Sequence, residues 1–332
     1  MNLLISYGTR PEYIKVKPLL GELDKLNIEY KVLFTGQHAD LVPTDIATLR
    51  LPGIACKGNR LDTIVSSILE HKFIYEGTTH VLVQGDTTSA FAVALGAFHR
   101  EIPVIHLEAG LRTYKHDPYP EEFNRTSISK MASIHLAPTA ENKKNLMMEG
   151  TPEGHIHVVG NTVLDDIPNI DVEYDTNVIV TLHRRENLHK LPDYFEQLNA
   201  IAMSNKNLTF KFPMHPNPAI QELKHLVKAP NIKIVQPIPY HEFMVDLAKC
   251  RFIISDSGGL QEEASFYNKR IIVCRESTER PEIIGTFGIL CGNPEDLPMY
   301  FKAVNDNYKI NELTPYGDGA ASERIAQIIK KL

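Results

Sequence analysis

Cysteine is scarce in this sequence: four residues among 332 (Cys56, Cys250, Cys274 and Cys291), far apart and with no C-x-x-C pair. That spacing supports neither a zinc site nor a disulfide framework. A cationic excess is missing too. Lys plus Arg total 35 against 41 for Asp plus Glu, a net charge of −6. Proteins that wrap nucleic acid by neutralising its phosphates carry the opposite sign. No window approaches the roughly 18–20 apolar residues of a membrane span. The opening MNLLISYGTRPE has no basic n-region and no sustained apolar stretch, so no export signal is expected. G-x-G-x-x-G, Walker and H-E-x-x-H patterns are absent, as are repeats and low-complexity segments. The expectation is a soluble protein of a reducing, cytoplasmic compartment, with no membrane and no nucleic acid among its partners.

What is present is ordinary globular material, 43% hydrophobic and 23% charged. Domains usually take about 100–200 residues, so two are expected. Apolar runs of four to six residues alternate with stretches of helical period, the pattern of βαβ units on parallel sheets. Strands are predicted at 3–7, 30–35, 80–84, 104–107, 135–137 and 157–159. Helices are predicted at 11–26, 61–75, 87–99, 121–131 and 140–149. A polar stretch at 165–175, without period, reads as a linker. The pattern then restarts, with strands at 178–182, 208–212, 233–235, 252–255 and 270–273. Helices there are predicted at 191–204, 219–227, 240–247, 260–266 and 294–306, with a last one at 320–331. The fold class is α/β, two Rossmann-like doubly wound domains. Ligands are then expected at the carboxyl ends of the strands, in an interdomain cleft.

Several segments at those strand ends carry chemistry. Gly8-Thr9-Arg10-Pro11-Glu12 follows the first strand and opens a helix, where free amides favour an anion that Arg10 and Lys15 can help hold. It reads equally as a plain, well-formed βα loop. Ser255-Asp256-Ser257-Gly258-Gly259-Leu260-Gln261-Glu262-Glu263 repeats that architecture. A diphosphate could take the amides of Ser257, Gly258 and Gly259, and Glu263 rather than Glu262 a ribose diol. In Thr278-Glu279-Arg280-Pro281-Glu282 an arginine precedes a Pro-started helix, again suited to phosphate. Asp86, Glu108 and Glu121 fall at strand or helix ends. Each alone is more often a cap than a catalyst; three together would repel one another and shift toward proton transfer. His183 ends the first strand of the second half beside Arg184 and Arg185. His183, His189 and His215 lack metal-ligand spacing, and no metal is expected.

Read together, GTRPE with Lys15, Gln37-His38, GDTT, HLEAGLRT, PEEFNR, GNTVLD, TLHRREN, HPNP, DSGGLQEEA, TERPE and the terminal PYGDG…ASERI resemble one family. It is the non-hydrolysing UDP-N-acetylglucosamine 2-epimerases, matched in the family's order from Leu3 to the last helix. The resemblance implies two domains of the glycosyltransferase-B type, at 1–167 and 168–316, with 317–332 crossing back to the first. It implies reversible conversion of UDP-N-acetylglucosamine to UDP-N-acetylmannosamine, supplying surface-polysaccharide precursors, without cofactor or metal. Asp86, Glu108, Glu121 and His183 match the family's catalytic positions. Arg10, Lys15, Phe243, Ser257, Gly258, Gly259, Glu263 and Arg280 match substrate or UDP contacts. The partner is then a UDP-sugar, and a homodimer is expected. A hydrolysing epimerase, or a UDP-sugar-dependent glycosyltransferase of the same fold, is the alternative.

Two features depart from the family's pattern. The segment from His38 to Leu61 is short, with Pro43 and Pro52 and with Arg50, Lys57 and Arg60 as its charged donors. The Arg and Gln that the family places ahead of the next helix have no clear counterpart beside Gly58-Asn59-Arg60. That region helps hold a second, activating UDP-sugar in bacterial members, so weak or absent activation is expected. TRPE and HRREN differ from the A-R-P-Q and H-R-A-E-N of a related branch that acts on diacetamido-uronic acid nucleotides.

Overall fold

The structure, a computed structural model, describes residues 1–38, 43–51 and 58–332, with Arg185 described by its backbone alone. Pro52, Cys56 and Lys57 lie outside the described residues. The chain divides into two compact units, Met1–Asp166 with Tyr316–Leu332, and Ile167–Pro315.

In the first unit the apolar runs become β1 (Leu3–Tyr7), β2 (Tyr30–Phe34), β3 (Leu49–Arg50), β4 (His80–Gln84), β5 (Val104–Leu107), β6 (Ile134–Ala137) and β7 (Ile156–Val158). They form one sheet of order β3-β2-β1-β4-β5-β6-β7, with every neighbouring pair parallel. The helices are α1 (Arg10–Lys25), α2 (Arg60–Glu70), α3 (Thr88–Phe98), α4 (Glu121–Met131) and α5 (Ala140–Met148). All five residues of β1 are buried, because side chains alternate between two covered faces. Leu3, Ile5 and Tyr7 face Val16, Leu19 and Leu23 of α1, whereas Leu4 joins Ile64 and Ile68 of α2 and Val93 and Ala97 of α3.

The second unit repeats the plan with β8 (Asn177–Thr181), β9 (Thr209–Pro213), β10 (Ile232–Val235), β11 (Phe252–Ser255), β12 (Ile271–Val273) and β13 (Gly288–Leu290). Their order is β10-β9-β8-β11-β12-β13, again parallel throughout. The helices are α6 (Leu191–Ser204), α7 (Pro218–Gln221), α8 (Tyr240–Lys249), α9 (Gly259–Phe266) and α10 (Leu297–Asp306). Val178 and Val180 pack with Phe195 and Leu198 of α6 and Phe301 of α10.

The last helix, α11 (Ala321–Ile329), belongs to the first unit, where Ile325, Ala326 and Ile329 join the α1 face of the sheet. Two motifs make this docking. Asp165 accepts the amides of Ala321 (3.0 Å) and Ser322 (2.5 Å), capping α11 from another segment. The Asn161 amide donates to Tyr316 O (2.8 Å), and a Cβ on Gly160 would lie 3.0 Å from that carbonyl. The GNTVLD and PYGDG…ASERI segments are thus two halves of one joint.

Local differences from the sequence expectation have physical causes. β3 and β13 were not expected: the first is two residues long and the second begins with Gly288, whose lack of a side chain weakens a strand signal. The helix expected at 61–75 stops at Glu70 and resumes as a 3₁₀ turn, Lys72–Tyr75, since His71 leaves helical ψ. The helix expected at 219–227 splits into the one-turn α7 and a 3₁₀ segment, Glu222–Leu226. Strand order reverses direction between β1 and β4 in one sheet and between β8 and β11 in the other. Crevices at such switch points are where α/β sheets receive ligands.

Candidate active site

In the first unit the loop after β1 is braced before any ligand arrives. The buried Glu12 carboxylate accepts the Gly8 amide (2.9 Å), the Thr9 amide (2.7 Å) and the Thr87 hydroxyl (2.7 Å). It therefore ties the β1–α1 loop to the β4–α3 loop. Burial pushes its carboxyl up from the usual range, and those hydrogen bonds oppose the push. Gly8 permits close approach of a neighbour, since a Cβ there would lie 2.2 Å from Thr35 Oγ1. Arg10 is exposed at the first position of α1. Gln37 accepts the Ser89 amide (2.9 Å), and Arg60 donates to Gln37 O (2.9 Å), so Arg60 fastens α2 to the loop after β2. Part of the segment invoked for activator binding lies outside the described residues.

Asp86 and Glu108 follow the adjacent strands β4 and β5. Glu108 takes φ +66, an uncommon backbone for a residue with a side chain, of the kind that costs of order 1–3 kcal/mol and clusters at functional sites. Its buried carboxylate accepts Lys15 Nζ at 2.5 and 2.6 Å, the Gln84 amide group, and Asn161 Nδ2 at 3.5 Å. Asp86 is gripped by Arg125, with Nη2 at 2.5 Å and Nε at 2.9 Å, while Asn124 donates to its carbonyl at 2.8 Å. Glu121 opens α4, and its neighbour Glu122 accepts the amides of Thr113 and Tyr114 at 3.0 Å each. The expectation of mutually repelling acids needs correction. Glu108 and Asp86 each face a cation, so local pairing dominates. His106 donates from Nε2 to Gly85 O (2.8 Å); burial drives its pKa down to about 3, so the ring is neutral and braces the Asp86 turn.

In the second unit β8 and β11 deliver the cluster. His183 leaves β8 with its Nδ1 3.4 Å from Asp256 Oδ1, and its ring stacks on His215 at 5.2 Å and 8°. Burial, Arg184 and His215 lower its pKa, opposed by Asp256 and Glu186. Among the described residues Arg184 Nε is buried with no hydrogen-bond partner, a donor suited to an anion. Gly258 precedes α9 as its N-cap, with no side-chain cap over the first-turn amides. A Cβ on Gly258 would meet Glu279 Oε1 at 2.8 Å, Arg280 Nη1 at 2.9 Å and Arg184 Nη2 at 3.1 Å. Two arginines thus converge on a helix N-terminus, an arrangement that favours phosphate.

Two of the expected contacts are modified there. The Ser257 amide already donates to Ser255 Oγ (2.9 Å), so the amides facing an anion begin at Gly258. Arg280 is buried and donates Nε to Glu262 (2.6 Å) and Nη1 to Glu279. Thr278 Oγ1 donates to Gln261 Oε1 (2.8 Å), so the TERPE segment is sewn onto the first turn of α9. Glu263 is buried in α9, and Phe243 is half-buried in the first turn of α8. Sequence reasoning passed over Asp256, Arg184, Arg125 and Gln84. The signal for Asp256 was its place at a strand end ahead of two glycines, where attention went to the glycines.

Among the described residues no group of three His, Cys, Asp or Glu is placed to hold a metal, and no helix is long and apolar enough to cross a membrane. Two parallel-sheet α/β units, each with charged side chains at its switch point, define a protein of the glycosyltransferase-B architecture. The lipopolysaccharide outer core galactosyltransferase WaaB shares that fold, with a TM-score of 0.63 over the full length of both chains at 14% identity. The family model for UDP-N-acetylglucosamine 2-epimerase matches residues 22–330, and the chain belongs to that family. It is 35% identical to the UDP-N-acetylglucosamine 2-epimerase of Salmonella borreze, covering 98% of this chain and 97% of that one. The Neisseria meningitidis UDP-GlcNAc 2-epimerase, solved bound to UDP-GlcNAc, superposes with a TM-score of 0.88 at 32% identity over 100% of both chains. The Methanocaldococcus jannaschii enzyme, in complex with UDP-GlcNAc and UDP, gives a TM-score of 0.87 at 32% identity, again over 100% of both.

Proposed function

We propose that this chain is a non-hydrolysing epimerase that interconverts UDP-N-acetylglucosamine and UDP-N-acetylmannosamine by elimination and re-addition of UDP. Action on UDP-N-acetylglucosamine at C2 follows from the family; the non-hydrolysing outcome and the route are this proposal's own. The C2 proton of the sugar has no adjacent carbonyl, so simple deprotonation leaves an unstabilised carbanion. Breaking the C1–O bond, with its electron pair leaving on the β-phosphate, makes C2–H acidic. The proton passes to a carboxylate, and C1=C2 forms as 2-acetamidoglucal. Re-addition of UDP, with a proton delivered to the opposite face of C2, completes the inversion.

Inversion needs two proton carriers, one for each face. The observation that carries the reading is the pair Asp86 and Glu108 just past the ends of adjacent strands, the second held in a left-handed backbone against Lys15. Glu121 is assigned to the same proton traffic. Arg10, His183, Arg184 and Arg280, with the Gly258 and Gly259 amides, are assigned to the charge of the departing diphosphate. Glu263 is assigned to the ribose and Phe243 to the nucleotide.

Proton NMR of the protein with UDP-N-acetylglucosamine in D2O tests this directly. Deuterium at C2 in an intact nucleotide sugar is expected. Free N-acetylmannosamine plus UDP would make the enzyme hydrolysing, and an unlabelled substrate would point to a transferase. Asp86→Asn, Glu108→Gln and Glu121→Gln should each slow exchange about a hundredfold or more, the scale of acid–base catalysis.

A further inference from the structure

We propose that Asp256 is a positioning residue for the reaction, fixing the orientation and tautomer of the His183 imidazole. The proposal rests on the reading above that His183 meets the diphosphate.

Asp256 is fully buried, at the end of β11 and beside the end of β8. A carboxylate without solvent must be satisfied by protein donors, and this one is. It accepts the His183 amide at 3.0 and 2.9 Å, the Arg184 amide at 2.8 Å and Asn187 Nδ2 at 3.2 Å. Asn187 is itself anchored, donating to Cys274 O at 2.7 Å. The backbone that carries His183 out of the sheet is therefore clamped on its inner side.

The ring is set by the same group. Nδ1 lies 3.4 Å from Asp256 Oδ1, and stacking against His215 fixes its plane. A carboxylate beside Nδ1 holds the proton on that nitrogen, which leaves Nε2 as the free edge. The His183 side chain is 31% exposed, so that edge is accessible to a ligand. When the imidazole is charged, both nitrogens donate, and Nε2–H can meet a diphosphate oxygen while Asp256 balances the other side. The charged groups acting on His183 are Asp256 and Glu186, which favour the proton, and Arg184 and His215, which oppose it. Glu279 and Arg280 stand close to Arg184 at Gly258. Asp256 is the largest of the influences that keep the imidazole basic.

The test is nitrogen-15 NMR of the histidines in the full-length chain, with kinetics. In the wild type the neutral His183 ring should be the Nδ1–H tautomer; an Nε2–H tautomer overturns the proposal without any variant. Asp256→Asn should lower the His183 titration midpoint, and with it the alkaline limb of kcat, by about one pH unit or more. It should also reduce kcat by at least about tenfold, with a smaller change in KM. A folded Asp256→Asn protein with an unmoved midpoint and an unmoved limb leaves Asp256 as a turn brace only. Should that variant not fold, Asp256→Glu, which keeps the charge and displaces it, should keep the midpoint near wild type and lose kcat. His183→Asn with wild-type turnover would instead remove His183 from the diphosphate, a separate failure.

Discussion

The ion pair between Lys15 and Glu108 lends itself to a double-mutant cycle. Its side chains are 9% and 7% exposed, with Nζ at 2.5 and 2.6 Å from the two carboxylate oxygens. Removing one member of a buried pair leaves a charge uncompensated and typically costs about 3–5 kcal/mol. Gln84 and Asn161 still donate to Glu108, so Lys15→Met should fall near about 3 kcal/mol. Glu108→Gln, which takes the carboxylate charge away from the ammonium, should cost a similar amount. With both charges gone, the double variant should be about as stable as either single one, a coupling of about 2–3 kcal/mol. The chain has no Trp, so unfolding in urea is best followed by far-UV circular dichroism. The two units need not unfold together, and the loss should fall in one transition only. In heat, a unit of this size should melt about 6–12 °C lower in each single variant. Losses that add within about 0.5 kcal/mol would mean that the pair is not coupled, and the account of Glu108 as held by Lys15 would be wrong.

Acid should weaken the first unit. Burial drives the His106 and His135 rings from 6.5 to about 3 and about 4, so below 6.5 the unfolded chain binds protons that the folded chain refuses. Stability is then complete above pH 6.5 and declines as pH falls, by about 2 kcal/mol per ring at pH 5; urea midpoints equal at pH 7 and pH 5 would contradict this. At the helix N-terminus of the second unit, Gly258→Ala should displace Arg184, Glu279 and Arg280 and weaken UDP binding by calorimetry about tenfold or more. Gly259→Ala, whose Cβ meets nothing within 4 Å among the described residues, should fold as the wild type does. Equal loss of stability in both variants would refute the crowding argument.

Much of the fold was legible along the chain because burial on both faces of a parallel strand writes itself as a short apolar run. Leu3–Tyr7, His80–Gln84, Val104–Leu107 and Phe252–Ser255 were readable to the residue for that reason. Leu49–Arg50 and Gly288–Leu290 were not, since their pairing partners rather than their side chains make them strands. The candidate site divides the same way. Glycines before a helix and acids at strand ends mark where ligands go, and these are local features. Which charge faces which is not local. The pairing of Glu108 with Lys15 joins the end of β5 to α1, and that of Asp86 with Arg125 joins a turn to a helix. Asp256 reaches His183 only because β11 lies beside β8, although 73 residues separate them. Spacing in sequence carries period and turn chemistry, whereas Coulomb and hydrogen-bond partners depend on distances of a few ångströms that sheet order alone sets.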